Sequence, residues 1–154
     1  METENMIIDE LGFKGVGCLF WTRDSDGEVW VLLGRHRPGR IFMDKVSYSI
    51  PSKAYGGREE STLDAALRVG YEETGIVNDR ASTQLFWGNK AGNVEMTVFA
   101  SRLPKRIAVK RTDNYTAFEW FNLKGQIPDL DFLSSTQLDV FKTFVDKDSG
   151  AKVS

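Results

Sequence analysis

The stretch KAYGGREESTLDAALRVGYEETGI, residues 53–76, changes abruptly from a glycine-rich loop to an unbroken helical period, and its reading decides the fold. Ser61 or Thr62 suits a helix N-cap, where a side-chain oxygen takes one of the unpaired first-turn amides. Gly75 is the residue type that most readily takes the left-handed turn past a helix end. The spacing therefore predicts a helix from Ser61 or Thr62 to about Thr74. At about 100° per residue, Leu63, Ala66, Leu67 and Gly70 share one narrow sector, expected to face the core. Asp64, Arg68, Glu72 and Glu73 project from the other side. Two adjacent carboxylates near a helix C-terminus sit where the backbone already carries partial negative charge, so something positive is expected beside them. Arg68 pairing with Glu72 one turn on contributes only ~0.2–0.5 kcal/mol on an exposed surface. A hard divalent cation, Mg2+ or Mn2+, is the stronger expectation.

Outward from this helix the chain reads as strands. Residues 13–22 and 28–35 are rich in Val, Leu, Phe and Trp, and the RDSDG segment between them has turn chemistry, which predicts a hairpin. GRHRPGRIFMDK reads as a loop before a short strand at residues 46–50. Residues 84–89 and 93–103 form a second expected hairpin around Lys90, Ala91 and Gly92, and residues 117–123 a further strand. A last helix over residues 134–145 places Leu138, Phe141 and Phe144 at helical spacing, with a frayed tail at 147–154 and loose residues at 1–10. Strands on both sides of a central helix, with another helix near the end, predict a mixed sheet between helices.

Composition bounds the function. With 154 residues and 41% hydrophobic content, one core and one domain spanning residues 1–154 are expected. The net charge of −2 supplies no overall field for a polyanion, so nucleic-acid binding would need a local patch. The one cysteine, Cys18, excludes an intrachain disulfide framework and reads as a buried thiol in an apolar strand. The acidic start and the lack of a long apolar run predict a cytoplasmic protein without a membrane partner, a monomer or homodimer.

The segment also resembles the Nudix box, G-x5-E-x7-R-E-U-x-E-E-x-G-U with U aliphatic. In this register Glu60, Arg68, Glu72, Glu73, Gly75 and Ile76 match the motif's E, R, E, E, G and U. VLLGRHR is similar to the strand preceding the box and FEWFNL to the one following it. The resemblance implies an α/β fold, a Nudix-like α/β/α sandwich with a mixed sheet, in which the box glutamates coordinate metal, activate water and neutralise diphosphate charge. It implies metal ligands at Glu72, Glu73, Glu60 and Glu59, catalytic roles for Glu72, Glu73 and Arg68, and Glu95 as a candidate glutamate outside the box.

The departures are specific. Ala54 stands at the motif's first glycine, Val69 at the glutamate after arginine, and Gly70 at an aliphatic position. Helical geometry is expected to project Val69 between Glu72 and Glu73, on the acidic face rather than in the core, so a Val69→Glu change should strengthen metal binding. Gly70 implies close backbone packing, since glycine costs ~1 kcal/mol relative to alanine inside a helix.

On the substrate side, Arg35, Arg37 and Arg40, with His36 among them, are candidates for phosphate recognition, because a guanidinium forks onto phosphate oxygens. Phe86 and Trp87 are candidates to stack on a base; strand neighbours point to opposite faces, which selects one of them, Trp87. Lys105, Arg106, Lys110 and Arg111 read as a solvated basic loop, and the resemblance to the family's late strand implies a structural role for Glu119 and Trp120. The expected function is a Mg2+- or Mn2+-dependent pyrophosphohydrolase of a nucleoside diphosphate linked to another moiety, with a small-molecule nucleotide as partner. The alternatives are a Nudix domain that binds a nucleotide or protein without hydrolysis, and an RNA 5′-end diphosphate hydrolase.

Overall fold

A computed structural model describes residues 13–35, 48–54, 60–91, 94–109, 112, 115–124 and 135–153. The β-branched and aromatic residues of the first hairpin form β1 (Phe13–Arg23) and β2 (Val29–Arg35). Their turn is built by Asp24, whose Oδ1 accepts from the backbone N–H groups of Asp26 and Glu28, both at 3.0 Å. Gly27 completes it at φ 83°, a conformation that favours glycine. There follow β3 (Tyr48–Ser49), β4 (Ser52–Ala54), α1 (Thr62–Thr74), β5 (Thr83–Ala91), β6 (Val94–Arg102), β7 (Ala117–Asn122) and α2 (Ser135–Val153).

The seven strands form one sheet in the order β3-β2-β1-β6-β5, with β4 also pairing β1 and β7 pairing β2. The sheet is mixed, because β1 runs parallel to β6 from Phe13 to Trp21 while the other pairs are antiparallel. β1 and β2 pair only where Trp21–Arg23 meets Val29–Val31. Beyond that they diverge, and β3 and β4 fill the wedge, β3 against Gly34 and Arg35 and β4 against Gly15 to Gly17. β4 was not foreseen as a strand; its pairing is supplied by β1, far away in sequence. Of the short strand expected at residues 46–50, β3 is the described part, and Val46 and Ser47 lie outside the described residues.

Alternation along β1 sorts the core into two layers. Val16, Cys18 and Phe20 face α1, whereas Leu19 and Trp21 join Val29, Val31, Val98, Val140, Phe141 and Phe144 on the α2 side. Helices thus cover both faces of a mixed sheet, the expected α/β/α sandwich. Among the described residues no helix is long and apolar enough to cross a membrane.

Both helices differ from their expected details. The buried seam of α1 is Ala65, Ala66, Val69, Gly70, Glu73 and Thr74; it keeps Ala66 and Gly70 of the expected sector, while Leu63 and Leu67 are only partly buried. Hydrophobicity favoured the leucines, but close seating on β1 selects small side chains. α2 runs on to Val153 instead of stopping near Val145. Gly150 in its last turns costs only about 1 kcal/mol relative to alanine, and no proline stops it.

The close packing expected at Gly70 is present. A Cβ there would lie 2.8 Å from Phe20 Cζ and 3.1 Å from Cys18 Sγ, and both side chains are buried. Gly70→Ala gains ~1 kcal/mol of helix propensity, while overpacking a rigid core costs ~1–3 kcal/mol. The expected net is a loss of about 1 kcal/mol, read as a lower urea midpoint with unchanged slope; a raised midpoint would show that the seam has slack.

Candidate functional site

The ends of α1 are fixed by local chemistry. Ser61 accepts from the Asp64 amide at 3.1 Å, and Gly75 turns left-handed at φ 79° while its N–H donates to Tyr71 O at 2.7 Å. Thr74 Oγ1 donates to Gly70 O at 2.6 Å and accepts from the Ile76 amide at 3.0 Å. The last turn, which carries Glu72 and Glu73, is thereby held rather than frayed.

Arg68 organises the outer face. Its Nε and Nη2 donate to Glu60 Oε1 at 3.0 and 2.8 Å, and its Nη1 donates to Glu72 Oε1 at 2.8 Å. The Glu60 hydrogen bonds, with the charges of Glu60 and Glu72 behind them, hold the Arg68 guanidinium above its ordinary pKa against the opposing effect of partial burial. Lys53 Nζ, from β4, donates to the same Glu72 oxygen at 3.4 Å. Arg80 pairs with Asp64 one turn below the cap. Sequence reading foresaw the Arg68–Glu72 pair but missed Lys53 and Arg80, whose partners are set by tertiary packing.

The adjacent glutamates part company. Glu72 is exposed and paired outward, whereas Glu73 turns inward and is 5% exposed, among the few buried charged side chains. Val69, one turn before Glu73, is fully buried with Val16, Ala65, Ala66 and Phe99. The expectation that Val69 stands on the acidic face is therefore corrected. Helix phase alone placed it between the glutamates, but the small-residue seam rotates α1 so that positions 69 and 73 point at the sheet. Glu95 is partly buried on β6, and alternation from Phe99 through Thr97 puts it on the α1 side of the sheet. Glu59 lies outside the described residues.

Carboxylate oxygens suit Mg2+ or Mn2+, and Glu72 and Glu73 offer them from neighbouring positions. These residues fit such an ion in kind and fall short in number. Among the described residues no three acidic, histidine or cysteine side chains are grouped so as to hold a metal.

The substrate-side candidates are spread over the other elements. Arg35 lies on β2 with its Nη1 4.0 Å from Glu119 Oε1. Glu119 also borders Tyr48, whose phenol is raised above its ordinary pKa by burial first and by the Glu119 charge second. Trp120 Nε1 donates to Ile107 O at 2.9 Å, the structural role expected of it. Arg37, Arg40 and His36, with Lys110 and Arg111, lie outside the described residues. Arg106 stacks on the Trp30 ring at 3.9 Å. Trp87 packs against the α2-side core and donates Nε1 to Asp139 Oδ2 at 3.2 Å. Phe86 packs on that same side, contrary to the expected alternation, because a register shift between Leu85 and Trp87 breaks the period of two. Cys18 is buried as foreseen, and burial pushes its thiol up to about 12 against a lowering hydrogen bond from Ser101, so it stays protonated.

No family model and no curated protein matches this sequence. Solved structures do. A MutT/nudix family protein from Enterococcus faecalis aligns at 20% identity and TM-score 0.60 over 79% of this chain and 51% of that one, so this chain spans about half its length. An Ap4A hydrolase binary complex from C. elegans aligns at 15% identity and TM-score 0.63, over 90% of this chain and 98% of that one. The chain has the Nudix fold. The NUDIX domain of Shewanella oneidensis NrtR, in complex with ADP ribose, aligns at 18% identity and TM-score 0.63 over 88% of each chain. In this Nudix fold α1 carries the box-like segment, and its departures at Val69 and Gly70 are both packing positions against the sheet.

Two measurements test this geometry. Full burial of Val69 contributes roughly 1.5–3 kcal/mol, and a carboxylate in its place would also be desolvated. Val69→Glu is expected to lower unfolding stability by ~3 kcal/mol or more in EDTA; full recovery on adding Mn2+ would return position 69 to an ion. The Arg68–Glu60 pair has side chains 21% and 19% exposed, against 60% and 47% for Arg80–Asp64. A double-mutant cycle on Arg68→Ala and Glu60→Gln should give a coupling of ~1.5–3 kcal/mol, as for hydrogen bonds to charged groups. The same cycle on Arg80 and Asp64 should stay under ~1 kcal/mol, and equal couplings would contradict the assigned burial.

Proposed function

We propose that this chain is a Nudix-type hydrolase that cleaves a diphosphate linkage in a nucleoside diphosphate joined to another moiety: ADP-ribose, a dinucleoside polyphosphate, a nucleotide sugar or a nucleoside triphosphate. The observation that carries the reading is Glu73, a carboxylate 5% exposed, beside Glu72 on a helix held at both ends. A glutamate is almost never fully buried unless it is paired or coordinates a metal. The Ap4A hydrolase and the ADP-ribose complex among the similar structures support this substrate class.

In this proposal Glu72 and Glu73 hold Mg2+ or Mn2+, with Glu60 and Glu59 as further oxygen donors. The ion, when bound, supplies Lewis-acid stabilisation of charge on the phosphates. Glu73, on the inner side of α1, or Glu95, on the α1 side of β6, accepts the proton of the attacking water. Arg68 is a positioning residue: by holding Glu60 and Glu72 it fixes which oxygens the acidic face presents. Arg35, Arg37 and Arg40 are the proposed substrate contacts; Trp87, expected among them, packs on the α2 side of the sheet, away from Glu73.

A second reading, nucleotide binding without hydrolysis, is favoured by a different observation. Val69 fills core space where the motif has a ligand, and Arg68 and Lys53 already neutralise Glu72. A purified-protein assay against that substrate panel, with and without each metal, separates the two. Hydrolysis predicts turnover with Mg2+ or Mn2+, reduced ~100-fold or more in Glu73→Gln and Glu72→Gln, as for loss of acid–base groups. Calorimetric binding with no product would give the function to the second reading.

A further inference from the structure

On the α2 side of the sheet, away from the acidic helix, lies a groove of about 620 Å³. This is within the range of small-molecule pockets, ~300–1,000 Å³. Trp21, Phe86 and Phe144 line it, together with Arg23, Arg102 and Lys147, and among the described residues no acidic side chain does. The rings form one cluster: Phe144 meets Trp21 edge-on at 6.0 Å and Phe86 at 5.3 Å. The cations rest on the rings, Arg102 Cζ 5.1 Å from the Trp21 centroid and Lys147 Nζ 4.7 Å from that of Phe86. Arg23 is anchored at the rim by donating Nη1 to Gly27 O at 2.9 Å. Among the described residues, neither Arg102 nor Lys147 forms an ion pair.

This combination is selective. An apolar groove with no charge would take an aliphatic ligand, and a basic patch without rings would take any anion. Here two exposed cations, held by weak contacts to ring faces, lie at the edges of a platform of three aromatic residues. A ligand that pairs with the cations while offering its own planar face to the rings satisfies both halves. Each cation can leave its ring for a phosphate oxygen, and a base can take the vacated face. We propose that this groove binds a single nucleotide, base against Trp21 and Phe86 and phosphate against Arg102 and Lys147. It is a second site, separated from Glu72 and Glu73 by the thickness of the sheet. Because α2 supplies Phe144 and Lys147 while β1, β5 and β6 supply the rest, occupancy would tie α2 to the far end of the sheet.

The test is calorimetric titration of the full chain with ADP in EDTA, which removes any metal-dependent contribution from the acidic helix. Wild type is expected to bind one ADP, and the double variant Arg102→Gln, Lys147→Gln to bind at least tenfold more weakly with an unchanged melting temperature, since both side chains are exposed. Phe86→Leu, which keeps an apolar side chain, should weaken ADP severalfold. Glu73→Gln should leave this metal-free binding unchanged. The proposal is overturned by wild-type affinity in the double variant, by loss of binding in Glu73→Gln, or by inorganic phosphate binding as tightly as ADP. A 5′-phosphorylated hexanucleotide binding tenfold or more tighter than ADP would replace the single nucleotide with a strand.

Discussion

The approach of α1 to β1 at Gly70 is the contact from which the geometry of the acidic helix follows. A methyl group at that position would sit 2.8 Å from the end of Phe20 and 3.1 Å from Cys18 Sγ, so these two β1 side chains pack directly on the helix backbone there. Ala65 and Ala66 keep the same seam narrow one turn earlier. Interiors packed at crystal-like density leave little freedom to slide or roll once such a seam is engaged. The roll of α1 then assigns every other position. Residues 69 and 73, one turn apart, point at the sheet, and residues 68 and 72, also one turn apart, point away. One hydrogen atom in place of a side chain thereby decides that Glu73 is an inner carboxylate and Glu72 an outer one.

That division resolves the electrostatic problem of two carboxylates at a helix C-terminus. Glu72 is compensated from two directions, by Arg68 on its own helix and by Lys53 from β4. Lys53 is delivered by the wedge between β1 and β2, which is pinned by α2. Gln137 accepts from the Ile50 amide and donates to Ser52 Oγ, each at 2.9 Å, and Cys18 N donates to Pro51 O at 2.9 Å. A buried glutamine on one face of the sheet thus holds the strand that presents a cation to the other face. Loss of either partner of a buried hydrogen bond of this kind leaves the other unsatisfied, which makes the wedge a stiff element rather than a loop.

What could be read from the sequence, and what could not, divides along the same physical line. Local chemistry was legible: the cap at Ser61, the left-handed Gly75, the Asp24 turn and the alternating strands each depend on neighbours within a few residues. The α/β/α layering followed, because alternation and helical periodicity encode which faces are apolar. The tight seat at Gly70 was legible because glycine inside a helix needs a compensating contact. The roll of α1 was not. Leu63 and Leu67 outweigh Ala65 and Ala66 in hydrophobicity, and only the shape of β1 makes the smaller pair the better seam. The site inherits that error at Val69, read as an intruder among acids when it is a core residue. Phe86 failed for another reason: one extra residue in β5 shifts its face, and a bulge has no dependable mark in a single sequence.

A net charge of −2 left any polyanion binding to a local patch, because that figure averages over surfaces that the sheet keeps apart. Strand alternation sends Val16, Cys18 and Phe20 to the helix that carries Glu72 and Glu73, and Trp21 and Arg23 to the side that carries Lys147. The same rule on β6 sends Glu95 to one side and Arg102 to the other. At physiological ionic strength charges separated by more than ~8 Å across exposed surface are largely screened from one another. Each face therefore acts with its local sign rather than the molecular total. The period of two that builds the core also parts Glu95 from Arg102, so the charge around Glu73 and the charge around the groove are each set by local neighbours and not by the molecular sum.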